Sequence, residues 1–238
     1  MKFSNYNSEE CQIIKEVLKN IPMMEANLAN VVEEYIYSSV REFYDDGTLR
    51  CEQRTRFGEK DGLYQQWYDN GQKWLECYYK NGILDGLYQQ WFNNGQKCIE
   101  CYYKNGEIDG LYQEWNESGK KWLECYYKNG KLDGLYQRYC VGWIDDHNSN
   151  CQKWLDCYYK NGKLDGLYQH WHSNGKKSDE YYYKNGEIDG LYQEWHFNGQ
   201  KSKVCHCKNG VIDGLYQRWN ESGKLIEKYI FNNGKKIN

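Results

Sequence analysis

The pentapeptide DGLYQ begins at Asp61, Asp85, Asp109, Asp133, Asp165, Asp189 and Asp213, in steps of 24, 24, 24, 32, 24 and 24 residues. A fixed period of this length marks a chain built by copying one supersecondary unit, each copy burying its apolar face against its neighbours. The period confines the chain to a repeat array and disfavours an enzyme, whose site needs one place unlike the rest.

Each unit holds two short runs rich in Tyr, Trp and Leu, for example LYQQWY and KWLECYYK. They are joined by DNGQ, and Asn70-Gly71 predicts a two-residue type I′ turn. The second run ends in KNGILDG, where Asn81-Gly82 opens a longer turn closed by Asp85-Gly86. The unit is therefore read as strand, tight turn, strand, looser turn. A degenerate first copy, REFYDDGTLRCEQRTRFGEK, places Gly47 and Gly58 one period before Gly71 and Gly82, so eight units fit. The expectation is an all-β, elongated single sheet of about 16 antiparallel strands, roughly 75 Å across at about 4.8 Å per strand.

A two-residue turn at Asn70-Gly71 places residues summing to 141 opposite each other. Trp67 then faces Trp74, Gln65 faces Glu76 and Leu63 faces Tyr78 on one side. On the other, Tyr68 faces Lys73, Gln66 faces Leu75 and Tyr64 faces Cys77. Repetition gives a row of Trp67, Trp91, Trp115, Tyr139, Trp171, Trp195 and Trp219, with a tyrosine row on the reverse face. Such cross-strand aromatic pairs contribute about 0.2–1 kcal/mol each. The 25 Tyr and 10 Trp weigh against disorder despite a mean hydropathy of -1.04. They also suit half-wet surfaces.

The two halves of the array differ. Opposite the Gln66 position stand Leu75, Ile99, Leu123 and Leu155, then Asp179, Lys203 and Glu227, whose expected partners are His170, Glu194 and Arg218. The change falls near the 32-residue step, where YCVGWIDDHNSNCQK adds eight residues near 142–149. Repeat proteins place function in such insertions; a tolerated lengthening of a loop tip is the plainer alternative. Residues 1–36 lie outside the array. Within them SEECQIIKEVLKNIP predicts a short helix with Ser8 as N-cap and Pro22 as stop, either covering the bare end strand or docking a partner.

Other chemistry is weighed down by geometry. Cys77, Cys101, Cys125, Cys157 and Cys205 share one repeat position, so neighbours lie two strands, roughly 9.5–10 Å, apart. Disulfides need Cα atoms within about 7 Å, so these thiols are expected to be free and to act as small hydrophobes. Cys98 and Cys101 point to opposite faces of a strand, whereas Cys205 and Cys207 share one. The seven DG aspartates form a row too widely spaced to share an ion and are read as capping their own turns. His172 and His196 are likewise too far apart to chelate. No metal or cofactor is expected. A net charge of -3 gives no electrostatic case for nucleic acid. MKFSNYNSEECQ lacks the apolar core of a secretory signal, which points to the cytoplasm.

The pattern DGLYxxWxxNGxKxxxxxYKNGxxDG resembles the variant form of the MORN repeat (membrane occupation and recognition nexus) over residues 37–238. The richness in Lys and Asn is similar to that of MORN-repeat proteins of amoeba-infecting giant viruses, which would place the chain in a host cytoplasm. The resemblance implies a hairpin array used for protein or membrane-lipid contacts, with no catalytic residues to carry over. Some bacterial members are labelled antitoxins. The expected function is thus a non-enzymatic scaffold binding protein, as a monomer or end-to-end dimer, with a peripheral lipid binder and an antitoxin-like inhibitor as alternatives. The candidate contact residues are Trp143, Ile144, Asp145 and Asp146 of the insertion and Trp67, Trp91 and Trp115 of the tryptophan row.

Overall fold

A computed structural model of the chain describes residues 36–140 and 153–237. The expected N-terminal helix and the insertion fall outside these residues.

Seventeen strands run in sequence order: β1 Tyr37–Phe43, β2 Leu49–Arg56, β3 Glu59–Trp67, β4 Lys73–Lys80, β5 Ile83–Trp91 and β6 Lys97–Lys104. There follow β7 Glu107–Trp115, β8 Lys121–Lys128, β9 Lys131–Tyr139, β10 Lys153–Lys160, β11 Lys163–Trp171 and β12 Lys177–Lys184. The last are β13 Glu187–Trp195, β14 Lys201–Lys208, β15 Val211–Trp219, β16 Leu225–Asn232 and the two-residue β17 Lys235–Lys236. Each pairs antiparallel with the strand before and after it in one open sheet. The expected all-β array of hairpins is what forms, with one short strand beyond the sixteen.

The two kinds of turn are the reverse of the sequence expectation. Asn81 and Gly82 both have positive φ, 49° and 79°, and connect Lys80 directly to Ile83. This is the two-residue type I′ turn. At the other end Gly71 has φ 77°, but Asn70 is not among the positive-φ residues. Gly71 N–H donates to Tyr68 O at 3.0 Å and Tyr68 N–H to Gln72 O at 2.8 Å. The loop is thus Asp69-Asn70-Gly71, a type I turn followed by one left-handed residue. Asn70 stays right-handed because its Oδ1 accepts the Gln72 N–H at 3.0 Å.

The extra loop residue corrects the register at one end. Leu63 to Gln66 pair with Tyr78 to Leu75 as expected, but Trp67 pairs with Lys73 rather than Trp74, and Tyr68 closes on Gln72 rather than Lys73. The bulge sends Trp74 to the opposite face, where its ring lies 6.2 Å from that of Tyr68. A second, wider bulge sits at the DG step. Cys77 pairs with Tyr88 and Tyr79 with Leu84, so Asp85, Gly86 and Leu87 together oppose Tyr78.

The DG aspartates do not cap their own turns. Asp61 Oδ2 accepts the N–H of Asn81 at 3.2 Å, and the contact repeats as far as Asp213 with Asn233. Gly82 N–H also reaches back across β4 to Lys60 O at 2.8 Å. On the other edge Asn70 Nδ2 donates to Asn93 O and Tyr68 Oη to Trp91 O, both at 2.9 Å. Among the described residues, the turns are therefore held by the adjoining unit, which converts loose hairpins into one sheet.

Candidate interaction surfaces

The bulges assign side chains to two unlike faces. One, here the tryptophan face, carries Leu63, Gln65, Trp67, Lys73, Glu76 and Tyr78 and their equivalents. Glu76 Oε2 accepts from Gln65 Nε2 at 2.6 Å and from Lys73 Nζ at 2.5 Å. The Lys73 ammonium lies 5.5 Å from the centre of the Trp91 ring in the next unit. The same set recurs as Gln89, Glu100, Lys97 and Trp115, and as Gln169, Glu180, Lys177 and Trp195. Burial alone would raise the Glu76 carboxyl. The Lys73 and Gln65 hydrogen bonds and the Lys73 charge together hold it below its ordinary value, as their counterparts do at Glu100, Glu124 and Glu180.

Trp67, Trp91 and Trp115 are half-buried in this arrangement, and lysine stems roof the latter two. The most exposed aromatic column on the same face is one that sequence reasoning did not single out. Tyr78, Tyr102, Tyr126, Tyr158 and Tyr182 are between 39% and 50% exposed. At Gly86, Gly134 and Gly166 an added Cβ would lie 3.1–3.2 Å from the Cβ of Tyr78, Tyr126 and Tyr158. One side of each of these tyrosines therefore rests on glycine and the other is open. The signal was a tyrosine recurring at one repeat position, but its openness depends on a bulge that the DG step alone does not reveal.

The reverse, cysteine face is the packed one. A row runs Tyr64, Cys77, Tyr88, Cys101, Tyr112, Cys125, Tyr136, Cys157, Tyr168 across successive strands. The four cysteines are 1% exposed or less. Burial pushes the Cys101, Cys125 and Cys157 thiols up to about 12, so they are inert as nucleophiles at neutral pH. The nine described cysteines are free; for Cys77, Cys101, Cys125, Cys157 and Cys205 the two-strand spacing accounts for it. Where the next cysteine would stand, Tyr181 instead stacks between Tyr168 and Tyr192, with ring centres 4.7 and 4.8 Å apart. Above this row the expected pairs form: His170 with Asp179 at 3.2 Å, Glu194 with Lys203 at 3.4 Å and Arg218 with Glu227 at 3.3 Å.

Trp143, Ile144, Asp145 and Asp146 lie outside the described residues, so the structure brings together only the tryptophan-row part of the expected contact set. Among the described residues no group of three His, Cys, Asp or Glu is placed to hold a metal ion. No curated protein matches the chain. Against protein families, the one described as MORN repeat variant matches five of the repeat units, at residues 60–81, 84–105, 108–129, 164–185 and 212–233.

Proposed function

We propose that the chain is a non-enzymatic scaffold that binds protein through the tryptophan face of its array. Repeats of the matching family are generally protein- or membrane-lipid-interaction modules. The observation that favours protein here is the open tyrosine column. Lys73, Lys97, Lys121, Lys153 and Lys177 each contact the carboxylate three residues on. The exposed row of Lys80, Lys104, Lys128, Lys160, Lys184 and Lys208 is offset by the aspartates of the DG steps across the same turns, which weakens the case for an anionic lipid surface. Tyrosine supplies contact area at low entropic cost and is enriched among binding hot spots.

The insertion, with Trp143 and Ile144 beside Asp145 and Asp146, is proposed as a second recognition element. The outer edge of β16, which β17 covers at Phe231 and Asn232 alone, is compatible with a monomer or an end-to-end dimer, working in the cytoplasm (a host's, if the viral affinity of the composition holds). An antitoxin-like inhibitor would be one form of such a scaffold.

The test uses the full chain with Tyr102 and Tyr126 both changed to Ser. The wild type is expected to retain a native protein partner that the variant loses at unchanged melting temperature, and neither should float with phosphatidylserine vesicles. Vesicle binding by the wild type, or partner retention by the variant, overturns the reading. Deleting residues 142–149 restores the 24-residue period and should weaken capture without unfolding the chain; unchanged capture removes the insertion from the contact set.

A further inference from the structure

The charged side chains of one cross-strand row on the cysteine face are nearly all partnered. Glu114 accepts from Tyr112 Oη at 2.5 Å, His170 meets Asp179, Glu194 meets Lys203 and Arg218 meets Glu227. Arg138 is the exception. It stands on β9 between Leu123 of β8 and Leu155 of β10. Its Cζ lies 5.2 Å from the centre of the Trp122 ring and 5.3 Å from that of Trp154. Among the described residues it has neither ion pair nor hydrogen bond.

This arrangement follows from the loop bulge, which turns Trp122 onto the cysteine face beside Arg138, and from a register shift between Lys153 and Leu155, which does the same for Trp154. Both distances fall inside the roughly 6 Å range of a cation–π contact. A guanidinium carries all its N–H donors in its own plane, so a hydrogen-bonding partner meets it at that plane's edge, while the two indoles within contact range of the group wall its surroundings. Two flanking rings also limit the rotamers of a long side chain. A half-buried cation with unused donors is unfavourable by itself, and a planar fork held in place matches an oxyanion taken in two parallel hydrogen bonds.

We infer that Arg138, clasped by Trp122 and Trp154, is a receptor for a carboxylate on an acidic segment of a partner protein. Charge complementarity supplies the argument for that occupant. The site offers one unpaired cation between apolar walls of Trp122, Leu123, Trp154 and Leu155, which suits a single carboxylate set among apolar side chains. Glu114 stands two strands away on one side and the His170–Asp179 pair begins two strands away on the other, so the unpaired positive charge of the row is confined to one residue, too little to hold a sheet of anionic headgroups. The inference rests on the scaffold reading but not on the tyrosine column, which is on the other face.

The experiment uses the full chain and a fluorescein-labelled, C-terminally amidated peptide of alternating Leu and Glu, with a Leu–Gln peptide as its neutral match. Fluorescence anisotropy should show the Glu peptide bound in preference to the Gln peptide. Arg138→Gln should weaken it by about tenfold or more, the range of a charge-assisted contact. Arg138→Lys should recover only part of this, because an ammonium lacks the fork. Arg218→Gln, which removes a guanidinium already paired with Glu227, should leave binding unchanged. Circular dichroism and melting of each variant separate loss of binding from loss of fold, and Arg138→Lys serves if Arg138→Gln does not fold. Equal binding of the two peptides, no binding by the wild type, or wild-type affinity in Arg138→Gln overturns the proposal. So does phosphatidylserine vesicle binding that depends on Arg138. Failure of the peptide panel with the Tyr102/Tyr126 result intact removes this site and leaves the scaffold.

Discussion

The units from β3 to β9 and those from β11 to β16 share a backbone but fill the cysteine face differently. In the first group Leu75, Ile99 and Leu123 lie across from Gln66, Gln90 and Glu114, and a buried thiol sits between each pair of tyrosines. In the second, polar pairs replace the aliphatic residues, and Tyr168, Tyr181 and Tyr192 stack with no thiol among them. Both groups keep their turn glycines, the Asp-to-Asn cap and the DG bulge. Hairpin geometry is therefore set by the turns, and the face is free to be apolar or charged. Such independence is expected where stability is a sum over units and their interfaces.

The largest test of that comparison is at the DG glycine. Gly134 has φ 124° and an added Cβ would lie 3.1 Å from Tyr126 Cβ, whereas the equivalent distance from Gly190 to Tyr182 Cβ is 3.7 Å. Gly134→Ala should lose about 2–3 kcal/mol and Gly190→Ala about 1 kcal/mol, spanning the usual cost of a strained residue. Equal losses in urea unfolding would show that the close Tyr126 contact adds nothing to the strain of the positive φ.

Tyr181→Cys copies the thiol pattern into the second group. It removes two stacked contacts worth about 0.5–1.5 kcal/mol each, so a loss of about 1–2 kcal/mol is expected in thermal unfolding. An unchanged midpoint would mean that tyrosine and cysteine are interchangeable at this position.

Acid should act unequally. Glu76, Glu100 and Glu124 in the first group have depressed carboxyl values, against Glu180 alone in the second, where Val204 and Lys228 fill the equivalent places. A carboxyl depressed by folding binds fewer protons in the native than in the unfolded chain. Its stabilisation is therefore present above the unfolded value of about 4.5 and lost as pH falls below it. The triple variant Glu76→Gln, Glu100→Gln, Glu124→Gln should flatten the fall in melting temperature between about pH 5 and 3. A slope equal to wild type would place the acid sensitivity elsewhere.

The smallest effect is that of salt. The half-exposed pairs Glu194–Lys203 and Arg218–Glu227 should together contribute less than about 1 kcal/mol. Added NaCl should lower hydrogen-exchange protection only slightly in β13–β16, and no more than in β3–β8, which hold the Lys73–Glu76, Lys97–Glu100 and Lys121–Glu124 pairs; a large loss confined to β13–β16 would show that its cross-strand pairs carry more than surface weight.

Much of this protein was legible in its residues. The 24-residue period specified hairpins, their order and their antiparallel pairing, because side chains alternate along a strand and turns recur at fixed steps. The same alternation placed Cys77 opposite Tyr64 and Asp179 opposite His170, and the two-strand spacing kept the thiols apart. What the sequence could not decide was which Asn-Gly makes the two-residue turn, since the dipeptide is the same in both. That choice belongs to the adjoining unit. Gly82 and Asn81 are held by Lys60 O and Asp61, whereas Asn70 spends its side chain on Gln72 and Asn93. One extra loop residue then moved Trp74 and Trp122 to the other face, a register shift between Lys153 and Leu155 did the same for Trp154, and the DG bulge left Tyr78 and its equivalents open. The candidate surfaces thus come from contacts between units, which a pattern read within one unit does not contain.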